Sequence, residues 1–230
     1  MSGPAVTRTA PITRPAEVAE AARIISAAGL VEAFGHVSAR TPTGFMITST
    51  GPLDSAAEAD VFELGFGAVP LGPDPEPPDL PLEVQMHAAV YGARGDVGAI
   101  CRTHSPAAVR AGARGSVPPL VHGLGGLAGT IAFCSRTDLV TDEAAGGEVA
   151  AALSGADCLL IRANGSIATG ASLAQAVVRA RYLEERCQIA EDADEGGALG
   201  PAELSARSKW FEKETARAWA WMRWRYAGDS

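Results

Sequence analysis

Amphipathic helical stretches alternate along this chain with apolar runs too short for anything but strands. That alternation limits the fold to helices packed around a sheet. "PAEVAEAARIISAAGL", from Pro15, reads as a helix: Val18, Ala21, Ile25 and Ala28 share one face, and Gly29 stands where a C-terminal cap belongs. Strands are expected over 36–40, 44–48 and 60–66, the first two joined by the turn residues Thr41-Pro42-Thr43-Gly44. The proline-rich stretch 71–81 is too stiff for a helix or a central strand.

Further along, the pattern gives a helix over 82–94, a strand over 97–104 and helices over 106–114 and 142–154. A buried strand over 156–165 turns back through 165–170, where Asn164-Gly165 carries the signal of a type I′ hairpin turn. A long helix over 172–191 starts at Ser172 as N-cap, and a last helix over about 201–227 has Pro201 in its first turn. No repeat of 20–50 residues is present. The expected architecture is an α/β/α sandwich in three layers around a mainly antiparallel sheet. In domain terms, residues 1–13 read as a flexible arm, 14–191 as one domain, 192–200 as an acidic Gly-containing linker and 201–230 as a Trp-rich C-terminal helix.

The net charge of -8 argues against a nucleic-acid groove or an anionic membrane surface. No apolar run reaches the roughly 18 residues of a membrane span, and the first residues lack a secretory apolar stretch. A cytoplasmic protein is therefore expected. Cys101, Cys134, Cys158 and Cys187 are scattered without paired spacing, which suits buried free thiols rather than a zinc cluster or a disulfide framework.

Chemistry concentrates in a few places. In "VGAICRTH" an apolar run ends in Arg102 and His104, two apart and so on one face of a strand. Glu83 and His87 are four apart on a helix and share a face. Glu83 reads equally as a dipole-favoured surface carboxylate or as an acid/base group or metal ligand. His87, bracketed by Met86 and Ala89-Val90, reads first as a hydrogen-bonded histidine of the core. Asn164 has its turn as a sufficient explanation, and Ser49-Thr50-Gly51 forms a tight turn able to hold an anion.

Order and spacing say more than any single residue. The blocks "GHVSAR", "ITSTG", "LEVQMHAAVYGARGDVGAICRTHSP", "LLIRANGSIATG" and "RARYLEE" resemble the class II aldolase/adducin-type family over about residues 15–190. The resemblance implies the α/β/α sandwich, a homotetramer with sites between subunits, and a divalent metal held by three histidines beside a glutamate. The glutamate is matched by Glu83. The three histidine positions are matched by Arg102, His104 and Asn164, so only one imidazole remains. Arginine stays protonated and is no ordinary ligand. His36 stands where the family has a phosphate-binding asparagine, and Pro81 and Leu82 stand where it has two serines. Neither proline nor leucine offers a side-chain donor, so binding of a sugar phosphate in the family manner is not expected.

Three readings follow. The site works without metal, Arg102 supplying the fixed charge; or a rebuilt site holds zinc, iron or manganese through His104 and Glu83 with one of His36, His87 or His122; or the site is inert. The first leads to a carbon–carbon lyase, by decarboxylation or retro-aldol cleavage, on a small non-phosphorylated hydroxy or oxo carboxylic acid, aromatic acids among the candidates. There Arg102 anchors the anion, Glu83 and His104 move protons, Asn164 orients substrate or water, and His36, Ser49, Thr50 and Gly51 line the pocket. The alternatives are a metal-rebuilt dehydratase, an iron-dependent oxygenase and a non-catalytic adducin-like interaction protein. Trp210, Trp219, Trp221 and Trp224, interleaved with Arg217, Arg223 and Arg225, suit docking against the domain or a neighbouring subunit, or an aromatic wall over the substrate.

Overall fold

The computed structural model describes residues 13–72, 79–193 and 197–227. Most of the N-terminal arm, the centre of the proline-rich stretch and part of the acidic linker lie outside the described residues.

The middle layer is a seven-stranded sheet in the order β3-β2-β1-β4-β7-β6-β5. Its strands are β1 (His36–Arg40), β2 (Gly44–Thr48), β3 (Val61–Gly65), β4 (Ala99–Thr103), β5 (Ile131–Cys134), β6 (Cys158–Ile161) and β7 (Ser166–Gly170). Neighbours are antiparallel throughout, except the parallel pair β5 and β6. This is the expected three-layer α/β/α sandwich.

Helices α1 (Pro15–Ala27), α3 (Pro106–Arg114) and α5 (Leu173–Asp192) cover one face of the sheet. Their buried residues are mostly small or β-branched: Ala21, Ala22, Ile24, Ile25, Ala108, Ala176 and Val177. Gly29 has φ +71, the left-handed turn that ends α1. Helices α2 (Val84–Ala93) and α4 (Glu143–Leu153) cover the other face through Met86, Val90, Val149 and Leu153. Strand alternation divides the two cores: Val37, Ala39, Ala99 and Cys101 face α1 and α5, whereas Ile100 faces α2.

Two elements differ from expectation. β5 has no counterpart in the sequence reading; it lies at the sheet edge, with Ile131, Ala132 and Phe133 half-buried and Cys134 buried, without alternation. The single C-terminal helix is two, α6 (Pro201–Ser208) and α7 (Phe211–Tyr226), broken at Lys209 and Trp210. The break sets the Phe211 ring against Gly126, where any Cβ would collide with it. The cysteines are buried free thiols, and burial pushes Cys158 and Cys187 up to about 12. No helix among the described residues is long and apolar enough to cross a membrane.

Candidate active site

The site forms where β1, β4 and the start of α2 meet the turn between β6 and β7. His36 on β1 lies opposite Arg102 on β4. Alternation points His36, Ser38 and Arg102 toward α2, away from the apolar core on the other side. Glu83 is the N-cap residue of α2, but its side chain makes no cap. Instead it turns into the site. Its Oε2 accepts from Arg102 Nε at 3.1 Å, and Arg102 Nη2 lies 3.1 Å from the same oxygen. Its Oε1 accepts from the Val140 N–H at 3.4 Å and from Asn164 Nδ2 at 3.5 Å. Asn164 Oδ1 in turn lies 3.4 Å from His104 Nε2, and His104 Nδ1 lies 3.3 Å from the Phe34 carbonyl. Arg102, Glu83, Asn164 and His104 are thus one connected cluster.

Asn164 reaches the cluster through its turn. The positive φ values fall at Ala163 (+54) and Gly165 (+74), not at Asn164, so the turn is not the type I′ expected from the Asn-Gly pair. Gly165 is needed for more than its φ: a Cβ there would strike the Thr103 carbonyl and the Arg102 guanidinium. The turn therefore lies directly against Arg102.

A cavity of about 510 Å³ opens over the cluster. His36, Thr50, Glu83, His104 and Asn164 supply its polar lining, and Phe34, Pro81, Leu82 and Leu139 its apolar walls. Phe34 and Leu82 are 75% and 70% exposed at its rim. By contrast, a wider groove of about 850 Å³ between α2 and α4 is lined largely by alanine and glycine and has no comparable cluster.

Arg102 does not line the cavity. It is 0% exposed, its Nη1 donates to the Thr103 carbonyl at 2.8 Å, and Glu83 stands between it and the opening. The Arg102 expected to anchor a substrate anion is paired with Glu83 here. Of the turn expected to hold an anion, Thr50 lines the cavity. Ser49 and Gly51 do not reach the cavity, the Gly51 N–H donates to Ser49 Oγ, and the Thr50 hydroxyl donates to Asp79 at 2.6 Å.

Behind His36 lies a second hydrogen-bonded group. His36 Nδ1 is 2.6 Å from His87 Nε2, His87 Nδ1 is 2.6 Å from Ser38 Oγ, and Ser38 Oγ is 2.7 Å from Tyr91 Oη. Ser38 and Tyr91 escaped the sequence reading, although a signal was there. Ser38 is two residues from His36 on a strand, and Tyr91 is four from His87 on a helix, so each pair shares a face. Burial, joined by the nearby Arg102 charge, holds His36 well below the ordinary histidine range and His87 down to about 3. Burial and then Arg102 likewise lower His104. All three imidazoles are neutral at pH 7.

The donor set lacks two of the three histidines that the family resemblance implies for a divalent metal. A guanidinium and a side-chain amide occupy two of the positions where the family resemblance implies histidines. His87 has both nitrogens engaged. His122 stands away from the cavity at the start of the turn Gly123–Ala128, with Glu185, Arg186 and Arg207 as charged neighbours. Only His36 remains beside His104 and Glu83, and among the described residues no three His, Cys, Asp or Glu side chains form a metal-holding group. The described tail residues do not line the cavity of this chain; Trp210, Trp221 and Trp224 are exposed, and Trp219 packs partly on the core.

Comparison with known proteins bears on the fold and the family. Among solved structures, an aldolase II superfamily protein from Pseudomonas syringae superposes with TM-score 0.77 at 20% identity, over 95% of this chain and 94% of that one. L-fuculose 1-phosphate aldolase from Glaciozyma antarctica PI12 gives 0.74 at 19% identity, over 94% and 91%. YgbL from Escherichia coli, for which aldolase, epimerase and decarboxylase are alternative descriptions, gives 0.73 at 17%, over 84% and 96%. No relative among the curated proteins matches by sequence. The family described as "Class II Aldolase and Adducin N-terminal domain" matches residues 16–190, and the chain belongs to that family.

Proposed function

We propose that this protein is a carbon–carbon lyase acting without metal on a small, non-phosphorylated hydroxy or oxo carboxylic acid. The observation that carries the reading is the joined cluster of Glu83, Asn164 and His104 on the floor of an apolar-walled cavity, with Arg102 fixed behind it. In retro-aldol cleavage a base takes the hydroxyl proton, the adjacent C–C bond breaks, and its electron pair collects on a carbonyl oxygen as an enolate. In decarboxylation of an acid with a carbonyl beta to its carboxylate, carbon dioxide leaves and the same kind of enolate forms, the proton it then takes at carbon coming from water. Either enolate is then protonated at carbon. The neutral His104 and the carboxylate of Glu83 are the groups able to take and return that proton.

Arg102 acts as a positioning residue. By holding Oε2 of Glu83 it fixes the carboxylate with Oε1 toward Asn164. Asn164 orients the substrate or a water against His104. Two features argue against a phosphate: Pro81 and Leu82 bring no donor, and the Thr50 hydroxyl is already committed to Asp79. The apolar walls favour acids with an aromatic or aliphatic side group, and the exposed Phe34 and Leu82 at the rim suit a homo-oligomer that covers them.

The test is a panel of hydroxy and oxo acids incubated with the full chain, following carbon dioxide and aldehyde release. Turnover of a non-phosphorylated acid that falls about 100-fold or more in both Glu83→Gln and His104→Ala is the expected result. Turnover confined to phosphorylated sugars, or undiminished in both variants, would overturn the proposal.

A further inference from the structure

The group behind His36 has a direction, and it can be worked out by placing its hydrogens. Each neutral imidazole carries one N–H and each hydroxyl one O–H. Tyr91 is buried, and among the described residues its hydroxyl has no acceptor besides Ser38 Oγ. The phenolic hydrogen therefore goes to Ser38. Ser38, also buried, then has only His87 Nδ1 on which to place its own hydrogen. An imidazole that accepts at Nδ1 carries its hydrogen on Nε2, and His87 Nε2 donates to His36 Nδ1. His36 accepts there, so its hydrogen sits on Nε2. That atom has no hydrogen-bond partner among the described residues, and His36 lines the cavity. Reversing the direction, or splitting it at Ser38, leaves a hydroxyl hydrogen without an acceptor inside the core, which is the costly kind of unmet hydrogen bond.

We propose that Tyr91, Ser38 and His87 lock His36 as the Nε2–H tautomer, which presents a neutral hydrogen-bond donor to a substrate carbonyl or carboxylate oxygen and serves there as neither base nor metal ligand. The burial that keeps both imidazoles uncharged supports the same assignment. A neutral imidazole N–H aimed at an oxygen that gains charge is a recognised form of electrophilic assistance. The inference rests on the reading of the cavity as a site for carboxylic acids, and it supplies the donor that Arg102, shielded by Glu83, does not. To coordinate a metal, His36 Nε2 would have to lose its hydrogen and turn three hydrogen bonds around.

Long-range proton–nitrogen correlation on the 15N-labelled full chain reads which nitrogen of each histidine is protonated, with His36→Gln assigning the signal. Nε2–H on both His36 and His87 at pH 7 is the expected result. Nδ1–H on His36, or a doubly protonated ring, overturns the proposal. Oxalate, a planar dianion resembling an enolate of an oxo acid, is the binding probe. The His36 Nε2–H signal is expected to shift on its addition. Glutamine can place an N–H near the same point, so His36→Gln should keep oxalate affinity within about threefold, whereas His36→Leu should lose about tenfold or more, the worth of a hydrogen bond to a charged group. Equal losses in both variants would overturn the donor role. If the tautomer is as expected but oxalate binds no variant, the carboxylic-acid reading fails and the locked tautomer stands.

Discussion

The two faces of strands β1 and β4 differ in what keeps them folded. Toward α1 and α5 they present Val37, Ala39, Ala99 and Cys101, which ask only for close packing. Toward α2, one residue along, they present His36, Ser38 and Arg102, each of which needs a partner. A packed apolar face degrades gradually as atoms are removed. A buried polar face fails at the first missing partner, because the group left behind keeps its desolvation cost. The same ten residues of strand thus carry both an insensitive core and a sensitive site, separated only by the pleat.

The sharpest test of that difference is Glu83→Ala, which leaves Arg102 buried without its counter-charge. A loss of about 3–5 kcal/mol is expected in urea unfolding. Adding Arg102→Met should return most of it, since an apolar replacement of both partners is far less costly than breaking the pair. Leu183→Ala, in the opposite core, should cost about 2–4 kcal/mol by opening a cavity. No second substitution of the Arg102→Met type should restore it; a rescue there would erase the distinction between the faces.

Acid should act strongly on the polar face. His36 and His87 are held below their unfolded value near 6.5, so the unfolded chain takes up protons first as pH falls. Their contribution to stability is complete above about pH 6.5 and is lost as pH drops toward about 3, the value for His87. Each contributes a slope of at most about 1.4 kcal/mol per pH unit. Thermal melts between pH 7 and 5 should show the decline, and a His36→Gln/His87→Gln pair should reduce it, His104 and His122 keeping the remainder. The smallest effect belongs to Trp224→Ala: at 78% exposure, about 0.5 kcal/mol or less is expected from the isolated chain. A larger change in the melt would mean that the tail is covered by another surface.

The sequence reveals those parts of the molecule whose signal is local. α1 shows in the spacing of Val18, Ala21 and Ile25, and α5 in Ser172 as its N-cap, whose side chain accepts the Gln175 N–H. The convergence of Glu83, His104, Arg102 and Asn164 is what the family resemblance of their blocks implied. What could not be read depends on distance and direction. Nothing local says that Glu83 stands between Arg102 and the cavity, because both lie near the same strand end whichever is in front. Nothing local joins His36 to His87, 51 residues on. β5 is too short to show a period, and its burial does not alternate. Asn164-Gly165 misled because the left-handed residue that the turn needed before its glycine is Ala163, a residue type that gives no warning.

The packing of α7 has a consequence for the way the chain is made. Met222, its one buried side chain, sits in the same core as Val18 and Ile25 of α1, and Arg223 reaches Glu20 across 203 residues of sequence. α1 is therefore completed by a helix about 200 residues further along the chain. Until α7 is made, β1 and β2 can already pack on α1, but the part of it under Met222 stays open, and such apolar surface attracts chaperones and other nascent chains.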